Sequence, residues 1–315
     1  MKKFNVLVML LAITLIGLTG CKSENKEVKN PGEPIRFASQ NDEEGYVLGA
    51  MIQQMLEHNG YEVDAKVGQL VNNTSLMRSS IMEDQLDMTL DYTGRGLMFI
   101  KDVDQSLYQK DEKTAYETTK KADEANGIVW LTYAPANNTD ALCVTKEFSE
   151  KNNIKSLKDL ADYINKGNDV KLAIQSGYEY YTSAPTTLPG WKKAYGLTIP
   201  DKDIITGIAD ARTALAQGTD GINVVTTSTT NGLTKAFDFV ILDDPEHVSP
   251  FYSPAPIASD KILKKYPELE HLFDKMFASL DKDTLIKLNA KFEEEGASEQ
   301  QVAKEYLEQN NYFED

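Results

Sequence analysis

The chain has 315 residues, 41% of them hydrophobic, with 33 Lys plus Arg against 49 Asp plus Glu and a formal net charge of -16. Such acidity argues against a nucleic-acid partner, whose phosphates it would repel, and the apolar fraction is that of ordinary globular material. A single core stops growing at about 250–300 residues, so a chain of this length reads as two lobes.

At the N-terminus, Lys2 and Lys3 precede an apolar run over 6–18, then Leu18-Thr19-Gly20 and Cys21. That layout is an export signal over residues 1–20. Its apolar run is shorter than the ~20 residues that a membrane-spanning helix needs. The sequence Leu18-Thr19-Gly20-Cys21 resembles the bacterial lipobox, which implies lipidation of Cys21 and a mature chain anchored on the extracytoplasmic face of the cell membrane. Two acyl chains hold stably, at ~0.8 kcal/mol per buried methylene. Cys143 is then the one thiol left, so no intramolecular disulfide staples the fold. Residues 21–34 are rich in Lys, Glu, Asn, Gly and Pro, too polar to offset the entropy of ordering, and read as a lipidated tether.

A first strand is expected over 35–39, then a helix Glu43–His58 in which Val47, Leu48, Met51, Met55 and Leu56 recur at helical spacing, ended by Asn59-Gly60. A strand over 61–67, a helix over 75–85 and a strand over 86–90 follow, the last running into Asp91-Tyr92-Thr93-Gly94. A helix over 114–126 and a strand over 128–133 lead to the polar segment 135–140. There a second pattern begins, with strands over 141–145, 170–175, 222–226 and 239–242, and helices Leu157–Asn165, 190–195 and Ala211–Gln217. From Asp260 onward the pattern is helical, over 268–280, 282–295 and 298–309. Strands alternating with helices predict parallel α/β sheets, and the order suggests one lobe interrupted by another. An α/β enzyme carrying an insertion would produce the same pattern.

Four separated segments resemble the substrate-binding proteins of compatible-solute ABC importers, the glycine betaine, choline and carnitine family. They are Ser39-Gln40-Asn41-Asp42-Glu43-Glu44-Gly45-Tyr46-Val47-Leu48-Gly49, then Leu86-Asp87-Met88 with Asp91-Tyr92-Thr93-Gly94, then Asn137-Asn138-Thr139-Asp140-Ala141-Leu142, and last Ser228-Thr229-Thr230-Asn231-Gly232 with Leu242-Asp243-Asp244 and Phe251-Tyr252-Ser253-Pro254-Ala255-Pro256. The resemblance implies a two-lobe, type II periplasmic-binding-protein-like α/β fold with two crossover hinge strands. Lobe 1 would comprise residues 35–136 and 249–315, lobe 2 residues 137–248, and the hinges would lie near 134–138 and 243–249. It also implies a small-molecule osmolyte or zwitterion as ligand, an importer permease with its ATPase as partner, and no cofactor.

Members that hold quaternary ammonium do so in an aromatic cage, because a trimethylammonium group has no N–H to donate and is drawn to ring faces instead. Tyr92 and Tyr252 fall at cage positions by that likeness, with Asp91 beside the first. Two further cage positions depart, being Asp140 and Ser228 here. At ~0.5 to 2 kcal/mol per ring, that change asks for rebuilding or a changed ligand. Tyr178, Tyr180, Tyr181 and Tyr133 are the candidates for rebuilding; if 178–181 is a strand, Tyr178 and Tyr180 face one way and Tyr181 the other. Arg95 could clamp a carboxylate while Asp140 opposes an ammonium, a pairing that suits a zwitterion and equally an amino-acid-like one. Asn41, Asn73, Thr74, Asn138 and Thr230 are the polar orienters, with Asn73 and Thr74 at a helix start.

An enzyme would need a nucleophile, an acid–base pair or a metal cluster. His58, His247 and His271 show no ligand spacing, and neither a Gly-x-Ser-x-Gly elbow nor a phosphate-cradling glycine loop occurs, so no catalytic or metal site is expected. A surface-anchored sensor that binds a ligand and reports to a receptor is the competing reading.

Overall fold

The computed structural model describes residues 28–70, 73–293 and 295–314. Its ten strands are β1 (Ile35–Gln40), β2 (Val63–Leu70), β3 (Met88–Tyr92), β4 (Ile128–Trp130), β5 (Asp140–Thr145), β6 (Leu172–Gln175), β7 (Ile204–Ile208), β8 (Val224–Ser228), β9 (Phe239–Ile241) and β10 (Pro254–Ser259). They form two five-stranded sheets, ordered β2-β1-β3-β10-β4 and β7-β6-β8-β5-β9. In each sheet one strand from the other half of the pattern runs antiparallel: β10 against β3 and β4, and β5 against β8 and β9. The chain therefore crosses between sheets twice, and the crossings touch, with Asn138 N–H donating to the Tyr252 carbonyl at 2.9 Å and Tyr252 N–H to Asn137 Oδ1 at 2.7 Å. This is the two-lobe α/β architecture expected above.

Helix α1 (Glu43–His58) starts where Asp42 accepts the Gly45 N–H at 2.7 Å, places Glu43 and Glu44 in its first turn, and buries Val47, Leu48, Met51 and Ile52. Those side chains join Phe37, Phe273, Phe277, Leu285 and Leu307 in the first core, which the C-terminal helices Lys282–Glu293 and Glu299–Gln309 close. The second core gathers Leu142, Val144, Leu172, Tyr181 and Trp191. Helix α2 (Thr74–Met82) is capped by Asn73, which accepts the Leu76 N–H at 3.0 Å.

Strand β10 had no counterpart among the expected elements, since prolines seldom sit inside a sheet. Pro254 and Pro256 are accommodated because their carbonyls accept from Ala134 and Leu131 at 2.8 and 3.0 Å, where the proline rings need supply no donor. Edge strand β7, with Gly207 at φ +74°, was also absent from the sequence pattern. The helix expected over 268–280 is broken into a 3-10 turn Pro267–Glu270 and a helix Asp274–Ala278. Between them Asp274 takes hydrogen bonds from Thr132 and His271. The polar segment before β1 is fastened from Lys29 on: Lys29 N–H donates to the Gly60 carbonyl at 2.9 Å, and Asn30, 2% exposed, bonds both ways with the Glu62 backbone. A tether reaching Pro34 is thus too long. Cys21 and the leader lie outside the described residues. Among the described residues no helix is long and apolar enough to cross a membrane.

Candidate ligand-binding site

Between the two sheets lies a cavity of about 720 Å³. From the first lobe it is lined by residues after β1 (Asp42, Glu43, Glu44), after β2 (Asn73), at the end of β3 (Tyr92, Arg95) and before β10 (Tyr252). The second lobe contributes Asp140 at the start of antiparallel β5, Tyr178 and Tyr180 after β6, and Ser228 and Thr230 at the end of β8. Every parallel strand named delivers its residues from the C-terminal end, where α/β sheets hold ligands.

Tyr92 is nearly buried, and its hydroxyl donates to Glu44 Oε2 at 2.8 Å. Tyr252 packs over Gly94, where an added Cβ would lie 2.5 Å from its Cδ1 atom; glycine in the Tyr-Thr-Gly motif is what lets the ring in. Tyr178 and Tyr180 sit on a 3-10 turn (Glu179–Thr182 with Tyr178 as its cap) rather than a strand, with ring centroids 6.1 Å apart and planes at 26°. Tyr181, expected to face away by strand alternation, is buried in the second core because the turn directs it there, its hydroxyl donating to the Thr227 carbonyl at 2.8 Å. Tyr180 reaches Asp140, hydroxyl to Oδ1 at 2.6 Å. Burial raises the Asp140 carboxyl above its ordinary range, against the lowering effect of hydrogen bonds from Tyr180 and Tyr181.

Three expected site residues do not line the cavity. Asn41 is exposed, its N–H tied to the Leu70 carbonyl at 2.9 Å, where β1 runs on beside β2. Asp91 is 0% exposed beneath the motif, accepting the Tyr92 N–H at 2.9 Å and lying 3.4 Å from Arg95 Nε. Its carboxyl is pushed up to about 6 by burial, with Arg95 opposing. Tyr133 packs against Tyr116, ring centroids 4.7 Å apart and planes tilted by 40°, in a satellite cluster with Trp130. Asn73 and Asn138 do line it; Thr74 opens α2 next to the capping Asn73, and its side chain is outside the described set.

Arg95 lines the cavity, with its guanidinium 5.0 Å from the Tyr92 ring and Asp91 at its Nε. It also lowers the carboxyl of Asp42, which burial pushes up. A carboxylate clamp would thus draw on a guanidinium already engaged with acids. The charged groups lining the cavity are Asp42, Glu43, Glu44 and Asp140 against Arg95, so its balance is acidic.

Sequence reasoning passed over Glu44 and Asn289. Glu44 is 2% exposed, and besides Tyr92 it accepts from Thr230 Oγ1 at 2.5 Å and Asn289 Nδ2 at 3.3 Å. Asn289 also donates to the Thr230 carbonyl at 2.9 Å. Each had a visible signal, a polar residue on the apolar stripe of an amphipathic helix, Glu44 in line with Val47 and Leu48 and Asn289 with Leu285.

The sequence profile of the substrate-binding domain of ABC-type glycine betaine transport systems matches residues 33–309. The chain belongs to this family. It is 36% identical over 285 residues to the glycine betaine-binding protein YehZ of Escherichia coli K12, covering 89% of this chain and 91% of that protein. The glycine-betaine-binding protein of Pseudomonas aeruginosa is 30% identical over 287 residues, 90% of each. The solved structure of apo YehZ superposes with a TM-score of 0.76 at 35% identity, over 89% of this chain and 99% of that one. As a member of this family, the chain places its cleft between two lobes, and the segments that carried the resemblance supply much of its lining.

Proposed function

We propose that this chain captures a small quaternary-ammonium or zwitterionic osmolyte of the glycine betaine, carnitine or choline type outside the cytoplasmic membrane, and delivers it to the permease and ATPase of an ABC importer. The observation that carries the ligand class is the lining of one cleft by Tyr92, Tyr178, Tyr180 and Tyr252 together with the carboxyls of Glu44 and Asp140. Ring faces and carboxylates attract a cation that has no N–H to donate. The relatives' names, glycine betaine-binding in both bacteria, support the same class.

In this reading lobe 1 spans residues 35–136 with 249–315 and lobe 2 spans 137–248. A cavity of about 720 Å³ is far larger than a betaine fills, so capture requires the lobes to hinge closed near 134–138 and 243–249. Cys21 carries the lipid that holds the protein at the membrane. No catalytic step belongs to the reading.

A thermal-shift panel of glycine betaine, choline, carnitine, proline and neutral sugars tests the ligand class, because a ligand at 100 times its Kd adds about 2.7 kcal/mol of stability. The quaternary amines should raise the melting temperature and the sugars should not. Small-angle scattering with the tightest ligand should then show compaction. Stabilisation by sugars alone would overturn the proposal.

A further inference from the structure

Glu44 lies at the junction of elements that must move together when the cleft closes. It stands in the first turn of α1, and its donors come from three directions: Tyr92 at the end of β3, Thr230 after β8 in the second lobe, and Asn289 on the helix Lys282–Glu293. The approach is tight, since Gly232 lies so close to the Asn289–Ala290 backbone that a Cβ there would overlap it. A buried carboxylate served by several neutral donors and lining a ligand cavity is not explained by packing alone.

We propose that Glu44 is the specificity-determining acid of the cleft and a proton-responsive latch between its walls. Ionised, it draws Tyr92, Thr230 and Asn289 together and presents negative charge to an ammonium ligand. Protonated, it presents no charge, and its new O–H competes with the donors already there. This rests on the reading of the cleft as an ammonium site.

The groups around Glu44 favour such behaviour from each side. On its own helix start are the acids Asp42 and Glu43; from β3 comes Tyr92, from the crossing segment Asn138, from beyond β8 Thr230, and from the C-terminal helix Asn289. Asp140 adds a further acid across the cavity, and the cation lining it, Arg95, has Asp91 3.4 Å from its Nε. Burial pushes the Glu44 carboxyl up to about 7; hydrogen bonds from Thr230 and Tyr92 restrain the rise, and the Asp42 charge adds to it. Loss of the latch should therefore begin near neutral pH.

Two measurements on the purified protein test this. Carbon-13 spectra of glutamate-labelled, ligand-free protein should contain a carboxyl resonance titrating near pH 7 that vanishes in Glu44→Gln. A second resonance from Glu293, whose carboxyl is also raised by burial and by Glu43, is assigned with Glu293→Gln. Calorimetry with choline and glycine betaine between pH 8 and pH 6 should show roughly tenfold weaker binding at the acid end, the consequence of one site titrating near 7. Glu44→Gln should bind at pH 8 at least as weakly as wild type does at pH 6, and its profile should be flat. Thr230→Val, which removes one latch contact and keeps the acid, should retain the slope. Binding with a flat wild-type profile, a slope that survives in Glu44→Gln, or no glutamate titrating between pH 6 and 8 would each overturn the role of Glu44. Failure of both ligands to bind at pH 8 would instead overturn the ammonium reading of the cleft.

Discussion

The Tyr180 hydroxyl meets Oδ1 of Asp140 at 2.6 Å across the mouth of the second lobe. Asp140 stands where relatives of this kind were expected to carry a tyrosine, and it pairs in register with Ser228, the other departed position. In the proposed reading of the cleft, Tyr180 on the neighbouring 3-10 turn supplies a ring in place of the one absent from β5, with Asp140 as its anchor.

Asp140→Asn should keep the shape of this corner while replacing a charge-assisted hydrogen bond by a neutral one. The variant also removes the negative charge that Asp140 offers an ammonium, an attraction of about 1 to 2 kcal/mol in a partly screened site, so quaternary amines should bind about five- to thirtyfold more weakly. Calorimetry checks the loss, and a melting temperature within a few degrees of wild type checks that the fold is kept.

The cage itself makes a second prediction. Tyr178→Ala and Tyr252→Ala should each reduce affinity for choline by about two- to thirtyfold, the range for one ring face on a cation. Tyr133→Ala, which removes a ring packed against Tyr116 away from the cleft, should leave affinity unchanged. Equilibrium dialysis with labelled choline on the three variants distinguishes cleft from core tyrosines.

Arg95→Ala should act on stability as well as on binding. It leaves Asp91, 0% exposed, without the cation 3.4 Å away, and a broken buried pair costs about 3 to 5 kcal/mol. The sign with pH follows from Asp91, whose carboxyl is raised by burial from 3.8 to about 6 in the folded protein. A group raised on folding contributes stability that is present below its unfolded value and lost as pH climbs through the folded one. Removing Arg95 raises that carboxyl further, so the deficit of Arg95→Ala in urea unfolding should be smaller at pH 5 than at pH 8.

Membrane attachment is tested by Cys21→Ser. Wild type should fractionate with membranes and the variant should be released, because the lipobox-like Leu18-Thr19-Gly20 run addresses that one thiol.

Much of this architecture was legible because apolar periodicity writes it directly. Helix α1 and the helices Leu157–Asn165 and Ala211–Gln217 follow from their spacing and caps, and the ordered motifs around Asp42, Tyr92, Asn138 and Tyr252 mark four edges of the cleft. What escaped depends on partners distant in sequence. Pro254 and Pro256 look hostile to a sheet until Ala134 and Leu131 are seen to donate to their carbonyls. Tyr133 and Tyr178 are the same residue type near polar segments, and only tertiary packing sends one to Tyr116 and the other to the cleft. Glu44 stands in line with Val47 and Leu48, yet Glu43-Glu44 also reads as an ordinary acidic first turn, and its partner Thr230 lies 186 residues away in the sequence.

The most direct test of the central claim compares a cation with its neutral twin. Choline and 3,3-dimethyl-1-butanol share a shape but differ by the charge on one atom, and calorimetry at pH 8 should show saturable one-to-one binding of choline or its betaine analogue. The carbon isostere, attracted neither by the ring faces nor by Glu44 and Asp140, should bind at least tenfold more weakly, about 1.4 kcal/mol. Equal affinity for charged and neutral partners, or no binding of any quaternary amine, would contradict the account.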